Sequence, residues 1–292
     1  MACDSSLQMR VALANCQILP EPDPDAAPLL AALEAAGVDA ISLAWDDEDA
    51  NFAGVDLTLL RATWNYPEQP ERFMAWISAV STQTSLWNRA DIVRWNIHKS
   101  YLLRLAARGL PVIPTELVTM GSHTSLREIC ERRGFEAVVV KPAIGAGSFG
   151  TRKFSDAAEG EAHLSSLRAT TDVLVQPYLR SVAGRGERSL IWIDGEVTHA
   201  VRKSARFAGD DEQITPVADI TASEHAVAQR AVAAVGGDVF YARIDLLAGD
   251  DGEPLVMELE LIEPSLYFAH SARALSRFVA GTLERLKATA SK

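Results

Sequence analysis

Two runs of strict polar–apolar alternation near the C-terminus constrain this chain more than any other feature: YARIDLL over 241–247 and PLVMELEL over 254–261, joined by the turn-rich AGDDG. Successive side chains on a strand point to opposite faces, so Arg243 and Asp245 share one face, with Ala242, Ile244 and Leu246 on the other. In the second run Glu258 and Glu260 share a face, opposite Leu255, Met257, Leu259 and Leu261. A hairpin symmetric about its connection sets Asp245 opposite Glu258 and Arg243 opposite Glu260, provided no bulge intervenes. Carboxylates gathered on one patch repel unless one binds a proton or a cation sits among them. Two explanations stand: a solvated face carrying an Arg–Glu cross-strand pair, or a site for a hard divalent cation such as Mg²⁺, which takes carboxylate oxygens together with phosphates and water.

The chain changes character near residue 94. MRVALANC, VDAISLAW and VDLTLLRATW read as strands, PLLAALEAAG as a helix stopping at Gly37, and ERFMAWISAV as a further helix. That order predicts a small parallel α/β sheet. Beyond it, Asn96 is expected to cap a helix running through Leu105 and ending at Gly109. EAVVVKP, TRKF and DVLVQPYL read as strands, and RSLIWIDGEVTHAVRK as a hairpin turning at Asp194–Gly195. TASEHAVAQRAVAAVGG opens with a Thr221/Glu224 capping box and closes at Gly236, and the C-terminal segment is helical. This half of the chain is antiparallel α+β.

Residues 145–150 read GAGSFG, a match to G-x-G-x-x-G. A dinucleotide site requires an amphipathic helix directly afterwards, and TRKFSD follows instead; a P-loop requires Lys-Ser/Thr, and Thr151-Arg152 stands there. A flap between antiparallel strands that folds over a triphosphate fits, as does a plain glycine turn. Lys141 ends the apolar run VVVK, where a buried ammonium is costly without an anion. A phosphate would pair it, with flap N–H groups as further donors, and a lysine snorkelling at a strand end would look the same.

A net charge of -11 and the lack of a long basic run exclude nucleic acid as the expected partner. No apolar run approaches the roughly 18 residues of a membrane span, and MACDSSLQMRVALANC lacks the basic and apolar regions of a signal peptide. Cys3, Cys16 and Cys130 form no Cys-x-x-Cys pair, which points to a reducing, cytoplasmic compartment. The six histidines (98, 123, 163, 199, 225 and 270) show no metal-ligand spacing and are expected to be structural or exposed.

Taken in order, Lys99 in WNIHK, Lys141 in VVVKP, the loop IGAGSFGT, the segment VQPYL, Glu187 in GERSL, and Arg243 and Asp245 followed by Glu258 and Glu260 resemble the ATP-grasp superfamily of carboxylate–amine ligases over roughly residues 94–265. The resemblance implies the ATP-grasp fold: an N-terminal small parallel α/β domain over 1–93, then two α+β subdomains enclosing ATP. These are a central subdomain over 94–175 that carries the flap and a C-terminal subdomain over 176–292 that carries the metal-binding hairpin. It implies that Lys99 and Lys141 contact the phosphates and that Gly145, Gly147, Ser148 and Gly150 close over them. Gln176, Tyr178 and Leu179 would border adenine, and Glu187 would bind ribose. Asp245, Glu258 and Glu260 would hold two Mg²⁺ ions, with Mn²⁺ a substitute, although many relatives carry asparagine where Glu260 stands. Arg243 would stabilise the transferred phosphoryl group.

The implied chemistry is phosphorylation of a substrate carboxylate by ATP, then attack of a nitrogen nucleophile on the acyl phosphate. A closing lid would keep water from that intermediate. LLRATWNYPEQPERFMAW, WNIHKSYLLRLAARGLPVIPT and ELELIEPSLYF further resemble a small subgroup that includes the cyclo-ligase closing O-ureido-serine to the cycloserine ring. The expected partners are a small amino-acid-like substrate and, at most, a second copy of the chain in a homodimer. Arg202 and Lys203 are candidates for the substrate carboxylate or an ATP phosphate, with Arg202 assigned to the catalytic set. Arg61, Thr63, Trp64, Asn65 and Tyr66 form a candidate substrate wall beyond a strand end, or a loop packing between domains. Ser265 and Tyr267 are weaker candidates. A kinase-like phosphotransferase, an intermolecular amide ligase and a non-catalytic nucleotide-binding protein are the competing readings.

Overall fold

A computed structural model describes residues 9–204 and 213–290 of the chain; Cys3 and the N-terminal residues read for a leader lie outside them. The first sheet is built from β1 (Arg10–Asn15), β2 (Asp39–Ala44), β3 (Leu57–Leu60) and β4 (Ser85–Trp87), in the order β2-β1-β3-β4, with every pair parallel. The helices α1 (Ala26–Ala35) and α2 (Pro70–Gln83) cover its two faces. Val11 and Leu13 pack with Leu29 and Leu33 of α1, while Ala12 and Ala14 pack with Phe73, Ile77 and Val80 of α2. Burial on both faces explains why RVALAN reads as a continuous apolar run.

Two short helices follow, α3 (Ala90–Asn96) and α4 (Tyr101–Ala107), where a single helix capped by Asn96 was expected. Asn96 instead ends α3 and turns its amide onto the C-terminal hairpin, donating to Leu259 O at 2.7 Å and accepting from Leu261 N at 2.9 Å. Gly109 ends the second helix, at φ 75°.

A four-stranded sheet comes next, in the order β5-β8-β6-β7: β5 (Glu116–Val118), β6 (Val138–Pro142), β7 (Arg152–Phe154) and β8 (Val173–Pro177), all antiparallel. It is covered by α5 (Leu126–Arg133) and α6 (Ala157–Arg168), whose Leu126, Ile129 and Leu164 pack on Val138, Val140, Val173 and Val175. Short length and polar composition hide both helices in the sequence.

After the single turn α7 (Ser181–Gly184) comes a five-stranded antiparallel sheet with the order β11-β10-β9-β12-β13. Its strands are β9 (Glu187–Ile193), β10 (Glu196–Lys203), β11 (Ile214–Val217), β12 (Tyr241–Ala248) and β13 (Pro254–Glu260). One face buries Leu190, Ala200, Ala242, Ile244, Leu246, Val256 and Leu259 against α4 and α8 (Ala222–Val235). The other face is divided along its length. One end, with Ile191, Ile193, Val201 and Tyr241, packs on the first sheet's helix α1 and on α9 (Ala272–Ala290); the other end is polar.

At the acids the β12–β13 register is the one expected, Asp245 opposite Glu258 and Arg243 opposite Glu260, although a bulge intervenes between them and the turn, where Leu246 pairs with Val256. The extra residue, Met257, breaks the alternation. Val256 therefore joins the apolar core, while Leu255 and Met257, expected there, are only half buried. As an edge strand β13 would leave backbone groups unpaired. Asn96, the Tyr101 hydroxyl accepting from Leu259 N at 3.0 Å, and Val256 N donating to Pro111 O at 2.8 Å take them up.

Candidate active site

The polar end of the five-stranded sheet gathers Glu187 and Ser189 from β9, Lys203 from β10, Arg243 and Asp245 from β12, and Glu258 and Glu260 from β13. Lys99, between α3 and α4, and Lys141, near the end of β6, reach in from the four-stranded side. Lys99 contacts Glu258, and Lys141 Nζ lies 4.0 Å from the other oxygen of the same carboxylate. The Arg243 guanidinium clamps Asp245 through Nε at 3.0 and 3.1 Å and Nη2 at 2.9 Å, and also contacts Glu260. Lys203 contacts Glu187 and donates to Asp245 Oδ2 at 3.2 Å.

Charge pairing sets which acids ionise. Burial opposes ionisation of Glu258, but the Lys99 and Lys141 charges outweigh it and hold its carboxyl below the usual range. Burial is likewise outweighed at Asp245 by Arg243 and Lys203, which hold it far below the usual range. At Glu260 burial, reinforced by the Asp245 and Glu258 charges, prevails over Arg243 and pushes the carboxyl up to about 7. Burial also pushes Glu187 up to about 8, despite Lys203. At Lys141, burial and the like charge of Lys99 draw the ammonium below its ordinary value.

The structure brings Lys99, Lys141, Glu187, Arg243, Asp245, Glu258 and Glu260 together, and it separates Arg202 from them. Arg202 is exposed and donates to Gly184 O at 2.9 Å, while its neighbour Lys203 is buried in the site. A bulge between Val197 and His199 is the cause: beyond it Lys203, not Arg202, stands opposite Glu187. Ser189, which faces Asp245 across the β9–β12 ladder and is fully buried, was not anticipated. A short hydroxyl on an alternating strand leaves no distinctive signal in the sequence.

The glycine-rich loop is the tip of the β6–β7 hairpin, with Val138 opposite Phe154 and Val140 opposite Arg152. No helix opens from it, which removes the dinucleotide and P-loop readings. Gly147 and Gly150 stand at positive φ, 57° and 68°, and Ser148 joins them at 61°. A Cβ on Gly150 would also come within 3.2 Å of Pro142 Cδ. Gln176 is buried and donates to Thr115 Oγ1 at 2.9 Å, Tyr178 lies under the Lys153 ammonium at 3.6 Å, and Leu179 follows, half buried.

Asp245, Glu258 and Glu260 offer only hard oxygen donors, which suits a divalent cation carried with phosphates. Each is paired with lysine or arginine here, and among the described residues no three His, Cys, Asp or Glu side chains converge on one point. A cation bound with a triphosphate would draw Glu258 and Glu260 away from Lys99 and Arg243 and leave those cations to the phosphates. The donor chemistry therefore fits. Of the histidines, His98 pairs with Asp172 at 3.3 Å and His163 meets Gly150 O at 2.8 Å, both structural contacts.

A parallel α/β sheet followed by two antiparallel units, with Lys99 and Lys141, the latter on the strand that leads into the glycine-rich tip, paired to the acidic hairpin of the last unit, defines an ATP-grasp ligase. The ATP-complexed D-alanine–D-alanine ligase of Bacillus anthracis shares this fold, with a TM-score of 0.71 at 16% identity over 97% of this chain and 99% of that one. The family of D-cycloserine synthetase DcsG N-terminal domains matches residues 11–88. The cycloserine biosynthesis protein DcsG of Streptomyces lavendulae is 35% identical over 283 residues, 91% of this chain and 95% of its own length. The crystal structure of D-cycloserine synthetase DcsG superposes with a TM-score of 0.88 at 32% identity, covering 95% of this chain and 99% of that one. The chain belongs to the DcsG family of ATP-grasp ligases, ATP-dependent enzymes that form carbon–nitrogen bonds.

Proposed function

We propose that this enzyme activates the carboxylate of O-ureido-D-serine as an acyl phosphate, that the molecule's own aminooxy nitrogen displaces the phosphate to close the ring, and that water removes the carbamoyl group from that nitrogen as carbon dioxide and ammonia, giving cycloserine, ADP and phosphate. The observation that carries the reading is the convergence of Arg243, Asp245, Glu258 and Glu260 on one sheet end with Lys99 and Lys141. The kinship with a cycloserine biosynthesis protein supports the cyclic product, and O-ureido-D-serine is the substrate proposed to give it.

Three units divide the work: residues 1–93 as the substrate-side domain, 94–175 as the flap-bearing subdomain and 176–292 as the hairpin-bearing one. Lys99 and Lys141 hold phosphates, and Gly145, Gly147, Ser148 and Gly150 supply backbone donors over them. Gln176, Tyr178 and Leu179 border the base, and Glu187 takes the ribose. Glu258 and Glu260, with Asp245, hold two Mg²⁺ ions or Mn²⁺, which when bound neutralise charge on the transferred phosphoryl group. Arg243, fixed by Asp245, and Lys203 place fixed positive charge where that group passes. The substrate is a small molecule in a reducing, cytoplasmic setting. Cys16 and Cys130 are free thiols, and no helix among the described residues is long and apolar enough to cross a membrane.

The test is ADP release by purified protein over a panel of small amino acids that includes O-ureido-D-serine and its L isomer, with mass analysis of the product. Mg²⁺-dependent ADP and phosphate release with cycloserine formed is expected. A stable phosphorylated product without free phosphate would mark a phosphotransferase instead, and turnover that needs a second amine would mark an intermolecular ligase.

A further inference from the structure

Glu263 differs from the acids of the sheet. It is 7% exposed, yet among the described residues no lysine, arginine or histidine lies within ion-pair distance of its carboxylate. The Tyr66 hydroxyl, itself buried, acts on its carboxylate. Lys99, the cation that acts on it most, is already in contact with Glu258. Glu263 stands three residues beyond the last residue of β13, Glu260, so the pair lies at the end of the acidic hairpin.

The backbone around Glu263 is held from the first sheet. Trp64 Nε1 donates to Glu263 O at 3.0 Å, and Arg61 Nη2 donates to Pro264 O at 3.0 Å. The Arg61–Tyr66 loop thus grips the segment after β13 at three points and aims one of its side chains. A buried carboxylate without a counter-cation is unfavourable in the empty protein, and fixing it so firmly makes sense where a ligand brings the charge. Arg243 and Lys203 supply positive charge for a carboxylate or phosphoryl group, and Glu263 supplies the opposite sign.

We propose that Glu263, oriented by Tyr66, receives the cationic nitrogen of the amino-acid substrate, its α-ammonium group. This inference rests on the amino-acid ligase reading above. It makes Glu263 a specificity-determining residue: the ammonium fixes the substrate's orientation and so presents its carboxylate to Arg243. It also gives the RATWNY loop a task, the positioning of that receptor.

Calorimetry in the presence of ADP and Mg²⁺ compares O-ureido-D-serine with the analogue bearing hydrogen in place of the α-ammonium. The wild type should prefer the amine by about tenfold to a hundredfold, the worth of one charge-assisted hydrogen bond. E263Q should lose most of that preference while binding ATP as the wild type does, and Y66F should lose a smaller part. Should E263Q fail to fold, E263D, which draws the charge back by one methylene, carries the same comparison. An unaltered preference in the Glu263 variant of an active enzyme overturns this inference alone. No stimulation of the wild type by any amino acid in the ADP-release panel overturns the ligase reading, and this inference with it.

Discussion

Asp25 accepts the backbone N–H of Phe268 at 2.8 Å, and the same carboxylate takes those of Leu266 and Tyr267 at 2.5 and 3.1 Å. Asp25 directly precedes α1 and is 1% exposed, and Arg61 Nη2 stands 3.4 Å from it. One side chain of the first sheet's helix therefore satisfies three consecutive donors of the segment that leaves β13. With the Arg61–Tyr66 loop, it fixes that segment from both sides.

Asp25→Ala would leave three buried N–H groups without their acceptor and the buried Arg61 guanidinium without its carboxylate, with the Pro264 carbonyl still in place. The expected cost is about 3–5 kcal/mol, read as a shift of the urea midpoint at constant slope. Asp25→Asn keeps one acceptor oxygen and should cost less. A loss under about 1 kcal/mol for the alanine variant would mean that the segment finds other partners and that the clamp is incidental.

Lys203 and Arg202 are neighbours with opposite expectations. Lys203 is the shared counter-cation of Glu187 and Asp245, and its removal leaves two buried acids facing each other. Lys203→Ala should lower kcat/KM by about a hundredfold or more, the scale of breaking a buried charge pair. Arg202→Ala, which removes an exposed contact to a carbonyl, should stay within about twofold. Equal losses in the two variants would return Arg202 to the catalytic set.

That contrast shows what the sequence carries and what it leaves out. Alternation in YARIDLL and PLVMELEL shows which residues of each run share a face, but Arg243 meets Glu260 and Asp245 meets Glu258 through a bulge at Met257, between the turn and the acids. In the β9–β10 hairpin a bulge likewise lies between the turn and the site, so every residue after it changes face and Lys203 replaces Arg202. No local residue preference in GEVTHAVRK announces an extra residue. Asn96 and Asp25 fail to declare themselves for a different reason: their partners are backbone groups far away in the chain. An Asn near a helix end reads equally well as a cap. The capping box at Thr221 and the Asp194–Gly195 turn are local, and each is where the sequence predicts, as are the first three strands of the parallel sheet.

His199 gives the protein a pH-dependent element on the apolar end of the sheet. Burial draws its pKa down to about 4, against a weaker opposing contribution from the Tyr267 backbone; His270 and Asp25 are the titratable groups nearby. The folded state holds the ring neutral, whereas the unfolded chain protonates it near 6.5. The unfolded state thus binds more protons between those values. The His199 contribution is complete above about pH 6.5 and is lost as pH falls towards 4. Discounted for partial burial, it amounts to about 1–2 kcal/mol. Unfolding free energies of wild type and His199→Gln, measured from pH 7 to 4, should converge as the pH falls. Taking the difference between the two proteins cancels the opposing slope of Glu187 and Glu260, whose raised pKa values favour the fold as they protonate. Parallel curves would show that His199 is hydrated.

Glu258 is the shared counter-ion of Lys99 and Lys141 in the nucleotide-free protein. Phosphates compete with that carboxylate for both lysines, and a divalent cation helps by drawing Glu258 to itself. Glu258→Gln should therefore have two opposite effects. Without nucleotide it leaves two buried ammonium groups facing each other, and stability should fall by about 2–4 kcal/mol. With ATP and EDTA, the freed lysines should bind phosphates at least as tightly as in the wild type, and the thermal shift on adding ATP should be larger. Turnover should nonetheless drop by about a thousandfold, because an amide oxygen is a poorer donor to a hard cation. Weaker metal-free ATP binding in the variant, measured by calorimetry, would show that Glu258 holds the lysines in place for the phosphates and does not compete for them.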